Sequence, residues 1–444
     1  MEGRTHRPQL VPDRCGACAL CRGGCPALTT PDLAAESDTL RARLAPRAPA
    51  RAQVPPCQGA CPLGQDVPAY LASLAQGRPQ EALEIILRDN PLPAVLGHVC
   101  HHPCQEACLA GALESPPRIR ELKRFAAQSP RPPLAPPAGE PWRRVAVVGS
   151  GPAGLAAAWR LVRSGVKVTV LEAQPLAGGM LAWAIPDFRL PRRALQHDLD
   201  YILAHGVDLK LESPVAPGDL EGLRREYDGV ILACGAPRPR PAELPGSGLE
   251  GVWLGLDFLR RAALGPAPEL KDPVVVIGGG NVALDAARWA LRHCQAPPLL
   301  IYRRDREQMP AYAEEVQAAL AEGLKFQFRA QPLALEGEGR VSRLRLAPTR
   351  PTGRGRDGRI RYAPRDQGHW ELEAATVILA LGQESEAPAW ARALGLAELE
   401  PGREGRLGPG LYAAGDLLTG PATVVQAAAG GIAAARALLQ EMES

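Results

Sequence analysis

The sequence has no long apolar segment. Its first residues, MEGRTHRPQLV, lack the apolar core that a secretory signal requires. The longest uncharged apolar run, GPATVVQAAAGGIAAA, is interrupted by glycines and is too short to span a bilayer. These two absences argue against a secreted or membrane-spanning class, and we expect a cytoplasmic protein.

An excess of charge of either sign is also absent. The chain of 444 residues carries 51 basic and 48 acidic side chains, which gives a formal net charge of +3. Strong attraction to nucleic acid or to an acidic membrane surface needs a larger positive excess. We therefore expect neither nucleic acid nor a membrane as a partner.

Cysteine is scarce beyond the first quarter of the chain. Nine of the 11 cysteines precede residue 110, and only Cys234 and Cys294 follow. A disulfide framework is typical of small secreted domains, and this chain is neither small nor expected to be secreted. The cysteines near the N-terminus therefore predict metal ligation.

Three regions follow one another along the chain. Residues 1–128 combine the cysteines with helical patterns and contain no convincing strand, and residues 129–141 form a proline-rich linker. Beyond the linker, a strand, a glycine-rich turn, a helix and a second strand occur twice, with turns that begin at Gly149 and Gly278. This repeat predicts an α/β fold class in which two Rossmann-like domains follow an all-helical domain.

The end of the chain contains a strand, the turn Gly415-Asp416 and a helix rich in small residues. The first dinucleotide-binding fold needs such a C-terminal part, so we predict that the second fold is inserted into the first. The predicted boundaries place residues 142–248 and 376–444 in the first domain and residues 249–375 in the second.

The first glycine-rich turn, Gly149-x-Gly151-x-x-Gly154, follows an apolar strand and opens a helix. The first glycine makes the tight turn, the second lets the backbone approach a pyrophosphate, and the third lets the helix pack on the strand. Glu172 ends the second strand, where an acidic side chain accepts the ribose hydroxyls. The combination predicts a dinucleotide site.

The second turn, Gly278-Gly-Gly280-Asn281, is followed by a strand that ends in LLIYRRDR. Where an acid would accept a free 2′-hydroxyl, Arg303 and Arg304 offer bidentate partners for a 2′-phosphate. The alternative is that both arginines are ordinary surface charges of an arginine-rich chain. We favour NADP(H) over NAD(H) at this turn.

Five motifs occur in order along the chain: GSGPAGLAAAWRL, GGMLAWAIPDFRLP, GGGNVALDAAR, IYRRDREQMPAYAEEV and GLYAAGDLLTGPATVVQAA. Together they resemble the glutamate synthase small-subunit family of FAD, NAD(P) and iron–sulfur oxidoreductases. That family includes the related flavin segment of dihydropyrimidine dehydrogenase. The resemblance, which runs from about residue 50 to the end of the chain, implies that the first domain holds FAD and the second holds NAD(P)(H).

The same resemblance assigns flavin-binding residues. It implies that Gly415 and Asp416 contact the ribityl-phosphate region of FAD, and that Thr423 and Val424 follow near the ring. The other expected cofactor-binding residues are Gly149, Gly151, Pro152, Ala153, Gly154, Glu172, Gly178, Gly179, Leu181, Val215 and Gly235 for FAD, and Gly278, Gly280, Asn281, Val282, Arg303 and Arg304 for NAD(P).

No side chain is expected to be catalytic, because hydride transfer between nicotinamide and flavin is chemistry of the cofactors. The resemblance implies that Ile185, Pro186, Gly382 and Gln383 lie where the two rings meet. The sequence departs from the family at Ala184, where a glycine usually precedes Ile-Pro. The added methyl group would alter the approach of the nicotinamide.

The N-terminal segment RCGACALCRGGCPAL contains the spacing Cys15-x-x-Cys18-x-x-Cys21-x-x-x-Cys25-Pro. This is the bacterial ferredoxin run, whose fourth cysteine ligates a second cluster. Zinc sites more often pair CxxC units that are set further apart. The spacing favours an iron–sulfur cluster, with a zinc site or a domain that no longer binds metal as the alternatives.

Five later cysteines match the family's cluster domain by resemblance: Cys57, Cys61, Cys100, Cys104 and Cys108. The sequence lacks the CxxC pair that the family has just before Cys57. It also has Lys123 where some members have a non-cysteine Gln or Glu ligand, and a protonated lysine cannot ligate iron. We expect one or two [4Fe–4S] clusters, with the first three cysteines of the ferredoxin run replacing the missing pair and a fourth ligand from Cys25 or the later five.

A nicotinamide site, a flavin site and clusters in series convert a two-electron hydride into single electrons. We expect an electron-transfer subunit that works with larger catalytic or iron–sulfur subunits, such as a metal-dependent aldehyde oxidoreductase or a glutamate synthase-like enzyme. The enzyme alternative is a self-contained NAD(P)H:ferredoxin or quinone reductase. The non-enzyme alternative is a docking scaffold with vestigial cofactor sites.

Overall fold

The computed structural model of the chain describes residues 54–112, 115–133, 140–355, 358–400 and 402–444. The ferredoxin run with Cys15, Cys18, Cys21 and Cys25 lies outside the described residues. The chain divides into two compact units: the first comprises the described residues up to 179 together with 189–235 and 387–444, and the second comprises 180–188 and 236–386. In the described ranges, no helix has the length and apolar character needed to cross a membrane.

The helices and strands follow one another as mixed α and β structure after an all-helical start. The helices are α1 (Pro56–Gly59), α2 (Val67–Ala75), α3 (Pro79–Ile86), α4 (Pro93–Val99), α5 (Pro103–Glu106), α6 (Ile119–Ala126), α7 (Pro152–Val162), α8 (Met180–Trp183), α9 (Arg192–Ala204), α10 (Leu220–Glu226), α11 (Gly255–Leu264), α12 (Asn281–Leu291), α13 (Ala313–Ala321), α14 (Ala387–Ala393), α15 (Asp416–Thr419) and α16 (Val424–Glu443). The strands are β1 (Arg144–Val148), β2 (Lys167–Leu171), β3 (Asp208–Lys210), β4 (Gly229–Leu232), β5 (Arg238–Pro239), β6 (Val252–Leu254), β7 (Val274–Ile277), β8 (Leu299–Tyr302), β9 (Lys325–Phe328), β10 (Ala330–Glu336), β11 (Arg343–Arg354), β12 (Ile360–Pro364), β13 (Trp370–Glu373), β14 (Thr376–Leu379), β15 (Gln383–Glu384), β16 (Arg406–Gly408) and β17 (Leu411–Ala413).

The cysteine-bearing part of the first unit is helical, which confirms the prediction. Each of the helices α1 to α5 has a proline in its first two positions. Proline stabilises a helix start because its φ angle is already helical and its missing N–H would have no partner there. The buried faces of α1, α2, α3, α5 and α6 contribute to one apolar core, which includes Cys57, Cys104 and Cys108 beside Tyr70 and Ile86.

The first unit also contains a six-stranded sheet in the order β16-β17-β4-β1-β2-β3. Strand β1 pairs in parallel with β2 and β4, and β17 lies parallel beside β4. The C-terminal helix α16 packs closely on α7, because a Cβ atom at Gly431 would lie 2.0 Å from the carbonyl oxygen of Ala153. The end of the chain therefore completes the first Rossmann-like fold.

The second unit is built around a five-stranded sheet of parallel pairs in the order β6-β14-β7-β8-β9. Strand β14, which begins at Thr376, was predicted to start the return to the first domain. It pairs instead with β6 and β7, and all four residues of β14 are buried in this sheet. Strands β10 to β13 form an antiparallel sheet within the same unit. The remaining domain boundaries stay predictions.

Candidate functional site

The three glycines of the first turn have three different environments. Gly149 has a φ angle of +101°, and an added Cβ would lie 2.6 Å from the carbonyl oxygen of Ala233. At Gly154 an added Cβ would lie 1.9 Å from the carbonyl oxygen of Gly149. At Gly151, which caps α7, an added Cβ would meet no atom within 4 Å. Two glycines thus hold the turn against its neighbours, and the middle one faces open space where a pyrophosphate can approach.

The carboxylate of Glu172 is buried and fixed beside this turn. The backbone N–H and the hydroxyl of Ser150 donate to its Oε2 at 2.8 and 2.6 Å, and the N–H of Gln174 donates to its Oε1 at 2.9 Å. The Ser150 hydroxyl in turn accepts from the N–H of Gly178 at 3.0 Å. Ser150 was not among the predicted site residues, although a hydroxyl residue between two glycines of the turn was the available signal.

Two distant segments come close to the same turn. An added Cβ at Gly179 would lie 2.9 Å from Cα of Gly151, and one at Gly415 would lie 2.8 Å from Cβ of Ala153. The structure therefore brings the predicted residues Gly149 to Gly154, Gly178, Gly179 and Gly415 together around the start of α7. Only glycine permits these approaches, because each backbone passes within contact distance of another.

Asp416 supplies a buried acceptor without a protein partner. Its Oδ1 is buried and makes no hydrogen bond. Burial raises the pKa of Asp416 to about 6, and the backbone N–H of Ala422 acts in the opposite direction. A buried unsatisfied oxygen is costly unless a ligand completes it. The open face of Gly151 and this orphaned oxygen are the features expected of a binding site for a dinucleotide with hydroxyl donors, so the residues fit FAD.

The other residues predicted for FAD have less specific surroundings. Thr423 caps α16: its hydroxyl accepts from the N–H of Gln426 at 3.3 Å, and Val424 begins the helix. Gly235 has a φ angle of +70° and open space on its side-chain face. Val215 packs against an apolar core of the first unit, and Leu181 is fully buried in the second unit.

The second turn repeats the geometry of the first within the second unit. An added Cβ at Gly278 would lie 2.5 Å from the carbonyl oxygen of Ala380, whereas one at Gly280 would meet no atom within 4 Å. Gly279 lies against Tyr302, because an added Cβ would come to 2.3 Å from its ring. The Asn281 side chain accepts from the N–H of Tyr312 at 3.1 Å. Here too the glycine two residues after the first, Gly280, is open to a phosphate group.

Arg303 and Arg304 follow directly after β8, beside Tyr302. The carbonyl oxygen of Arg303 accepts from the hydroxyl of Thr349 at 2.7 Å, and Nε of Arg304 is buried without a hydrogen bond. Burial raises the pKa of the Tyr302 phenol, while the guanidinium groups of Arg304 and Arg303 act against it. Thr349 thus fixes the backbone of this arginine pair, and the two cations lie beside the tyrosine that covers the turn.

The segment with Ile185 and Pro186 belongs to the second unit. Phe188, just after it, lies under two cations: the guanidinium of Arg292 is 3.9 Å and that of Arg288 is 5.0 Å from the ring centroid. Arg288 is itself buried and forms ion pairs with Glu315 and Glu322.

Gly382 and Gln383 belong to the same unit as Ile185. Gly382 has a φ angle of +127°, and Gln383 pairs with Pro239 in a short antiparallel ribbon. Ala184, where the family usually has glycine, is 4% exposed. These placements are compatible with the expected ring-contact region, whose assignment stays a prediction.

Five cysteines lie together in the helical part of the first unit. Burial raises the pKa of the Cys57 thiol to about 12, and nearby Cys108 and Cys104 add to the effect. Burial also raises the pKa of Cys104 to about 12, with Lys123 acting against it and with Cys100 and Cys61 reinforcing it. Cys57, Cys104 and Cys108 belong to one buried core, and Cys61 and Cys100 lie in the same helical part of the chain.

The donor set of this group suits an iron–sulfur cluster. The backbone N–H of His102 donates to Sγ of Cys100 at 3.4 Å, a type of bond that such clusters use. Thiolates that neutralise a metal core would remove the cost of burying several thiols. Within the described parts of the chain, no three such side chains converge closely enough for a single metal ion. A multi-iron cluster tolerates the wider spacing, because each thiolate binds a different iron atom.

Comparisons with known proteins agree with this geometry. Residues 143–431 match the family model for pyridine nucleotide-disulphide oxidoreductases, and residues 42–132 match the model for dihydropyrimidine dehydrogenase domain II, 4Fe-4S cluster. The chain is 30% identical over 423 residues to the glutamate synthase (NADPH) small chain of Escherichia coli, which covers 88% of this chain and 89% of the relative. The chain belongs to the glutamate synthase small-chain family. It thus combines an FAD- and NADP-binding oxidoreductase domain with a 4Fe-4S domain.

One further relative and one solved structure are similar to this chain. The NADP(+)-dependent formate dehydrogenase subunit beta of Moorella thermoacetica is 38% identical over 420 residues, which is 86% of this chain and 59% of that subunit. The chain therefore spans less than two thirds of that relative. The structure of FprA from Mycobacterium tuberculosis in complex with NADPH has a TM-score of 0.56 at 20% identity, covering 68% of this chain and 85% of FprA. At that identity the likeness shows the fold.

Proposed function

We propose that the chain is the flavin-containing electron-transfer subunit of a larger enzyme. It exchanges a hydride between NAD(P)(H) and FAD, and it exchanges single electrons through [4Fe–4S] clusters with a separate catalytic subunit. A metal-dependent aldehyde oxidoreductase and a glutamate synthase-like enzyme are examples of such a partner. NADP(H) is the favoured nicotinamide, and the partner determines the direction of electron flow.

The observation that carries the proposal is the presence of two open glycine turns and a group of cysteines in one chain. Gly151 and Gly280 each leave room for a phosphate group at a helix start. Cys57, Cys104 and Cys108 lie in a shared core. Relatives named as a subunit beta of formate dehydrogenase and as a small chain of glutamate synthase support a role beside larger subunits.

Each proposed site residue has a physical task. The Glu172 carboxylate, held by Ser150, accepts ribose hydroxyls, and the helix start at Gly151 accepts the pyrophosphate. Asp416 accepts a hydrogen bond from the flavin nucleotide through its orphaned oxygen. Arg303 with Arg304 pairs with a 2′-phosphate. The cofactors supply the hydride and electron chemistry when they are bound.

The proposed function is tested by anaerobic purification of the full chain and of a variant that lacks residues 1–30, which carry the ferredoxin run. We expect one FAD per chain in both proteins. The deletion should remove about four irons per chain, the content of one cubane cluster. Reduction of an artificial dye by NADPH should persist, because hydride exchange takes place in the other domains.

Electron transfer to the natural partner separates the roles further. The deletion variant should no longer reduce or oxidise the partner, because single electrons leave through the clusters. Full iron content after the deletion would overturn the assignment of Cys15, Cys18 and Cys21 as ligands. Undiminished transfer to the partner would overturn the proposed route, and direct turnover of a soluble quinone at a high rate would favour the self-contained reductase.

A further inference from the structure

The chain contains one buried lysine, beside the cysteine group. Its five lysines are Lys123, Lys167, Lys210, Lys271 and Lys325. The last four are exposed, whereas Lys123 is 4% exposed. Burial of an ammonium group is costly unless an opposite charge lies near it. The surroundings of Lys123 therefore have to supply negative charge.

Helix α6 points Lys123 into the cysteine core. The buried positions of this helix are Ile119, Lys123 and Ala126, which lie on one face at helical spacing. Ile119 and Ala126 belong to the same apolar core as Cys57 and Cys104. Lys123 therefore projects toward the thiols and away from solvent.

Two hydrogen bonds fix α6 against the segments that carry the cysteines. The N–H of Ile119 donates to Oε1 of Gln105, next to Cys104, at 3.1 Å. The guanidinium of Arg120 donates to the carbonyl oxygen of Cys100 at 3.3 Å. The position of Lys123 relative to these two cysteines is thus set by the packing of the helix and not by the side chain alone.

Among the described residues of the helical part, no carboxylate is buried beside this charge. The buried polar residues among the described positions 54–126 are Gln65, Ser73, Asn90 and Lys123, none of them acidic. The ammonium of Lys123 makes no hydrogen bond or ion pair to a described residue. The neighbours that can carry negative charge are the thiolates of Cys104 and, around it, Cys100 and Cys61.

We propose that the Lys123 ammonium is the counter-charge of an iron–sulfur cluster bound by cysteines of this group, Cys104 among them, and that it raises the reduction potential of this cluster. The inference rests on the proposed function, because it takes these cysteines as cluster ligands. Each thiolate ligand adds negative charge to the cluster, and one-electron reduction adds more. A fixed cation nearby stabilises the reduced form more than the oxidised form, and net charge is one of the factors that set such potentials.

The test uses the full chain, purified anaerobically, with iron analysis and a redox titration followed by electron paramagnetic resonance. Lys123→Met should retain iron. The equilibrium constant for one-electron reduction of one cluster should fall by about tenfold or more, and a tenfold change corresponds to a shift of about 59 mV in the reduction potential. Lys123→Arg, which keeps the charge, should titrate close to wild type. Lys167→Met is the matched control, since Lys167 is exposed, and it should leave the titration unchanged.

The outcomes separate the inference from the proposed function. An unchanged titration in Lys123→Met with full iron content would overturn the inference and leave the clusters in place. Loss of about four irons in both the Met and the Arg variants would show that lysine is a ligand, which also overturns it. If Lys123→Met and Lys123→Gln both lose iron while Lys123→Arg retains it, the cluster assembles only beside a cation, which supports the inference. A wild-type chain without iron would overturn the cluster assignment itself.

Discussion

The two glycine turns of this chain have the same arrangement of open and packed glycines. The strand that follows the first turn is succeeded by an acidic residue, and the strand that follows the second is succeeded by basic residues. In both, the first glycine is pressed against a neighbouring carbonyl group, and the glycine two residues later, Gly151 or Gly280, is open. After the first turn, Glu172 is buried and held by Ser150. After the second, Arg303 and Arg304 follow Tyr302, whose ring covers the turn. We propose that each turn binds phosphate and that the residues after the strand distinguish the two nucleotides.

The two sites also differ in where their parts come from. The first depends on segments far along the chain, because Gly415 and Asp416 lie next to a turn that begins at Gly149. Every described contact of the second turn given above comes from residues 278–380. The first site is therefore sensitive to the packing of the C-terminal helix, and the second is nearly self-contained.

The largest expected effect separates open from packed glycines. Gly151→Val should abolish FAD binding while the chain still folds, because a Cβ at this position meets no atom within 4 Å and the side chain fills the path of the pyrophosphate. Gly154→Ala should destabilise the fold itself, since its Cβ would lie 1.9 Å from the carbonyl oxygen of Gly149. Flavin content and thermal unfolding of both variants check this. Full flavin content in a folded Gly151→Val protein would disprove the site.

Asp416 gives the first site a pH dependence. Its pKa is raised from 3.8 to about 6, so in flavin-free protein the stability contributed by the protonated form is lost as pH rises through this range. Relative to wild type, Asp416→Asn should gain stability between these pH values and keep a gain of about 3 kcal/mol above them. Urea unfolding of flavin-free protein from acidic to neutral pH measures the difference. A difference that is constant with pH would show that Asp416 is already satisfied.

The arginine pair sharpens the contrast in nucleotide choice. Arg303→Ala combined with Arg304→Ala should reduce affinity for NADPH by about tenfold to a hundredfold, since a charge-assisted contact contributes about 1.5–3 kcal/mol. Affinity for NADH should be spared. Comparison of kcat/KM for NADPH and NADH in wild type and variant checks this, and a wild-type preference for NADH would leave these arginines as surface charge.

The smallest expected effect concerns Thr423 at the start of α16. Its hydroxyl caps the helix through the N–H of Gln426, so Thr423→Ala should cost about 1 kcal/mol of stability. FAD affinity should remain close to wild type if capping is its main task. Chemical denaturation and flavin titration measure the two effects separately, and a large loss of FAD affinity would place Thr423 against the flavin.

The sequence by itself determined the features that depend on local pattern. Glycine spacing after an apolar strand predicted both turns, and helical patterns without a convincing strand predicted a helical N-terminal part, because turns and helices depend on neighbouring residues. The motifs also carried the family resemblance. The family, the fold class and the cofactor classes were therefore predictable before the structure.

The tertiary structure alone decided which distant groups meet. The bond from Ser150 to Glu172, the orphaned oxygen of Asp416 and the place of β14 in the second sheet depend on contacts between segments far apart in sequence. The same holds for Lys123, whose residue type suggests an exposed charge but which the packing of α6 turns into the cysteine core. Burial is a property of the assembled fold, so no local pattern specifies which charge is desolvated or which thiol stands beside it.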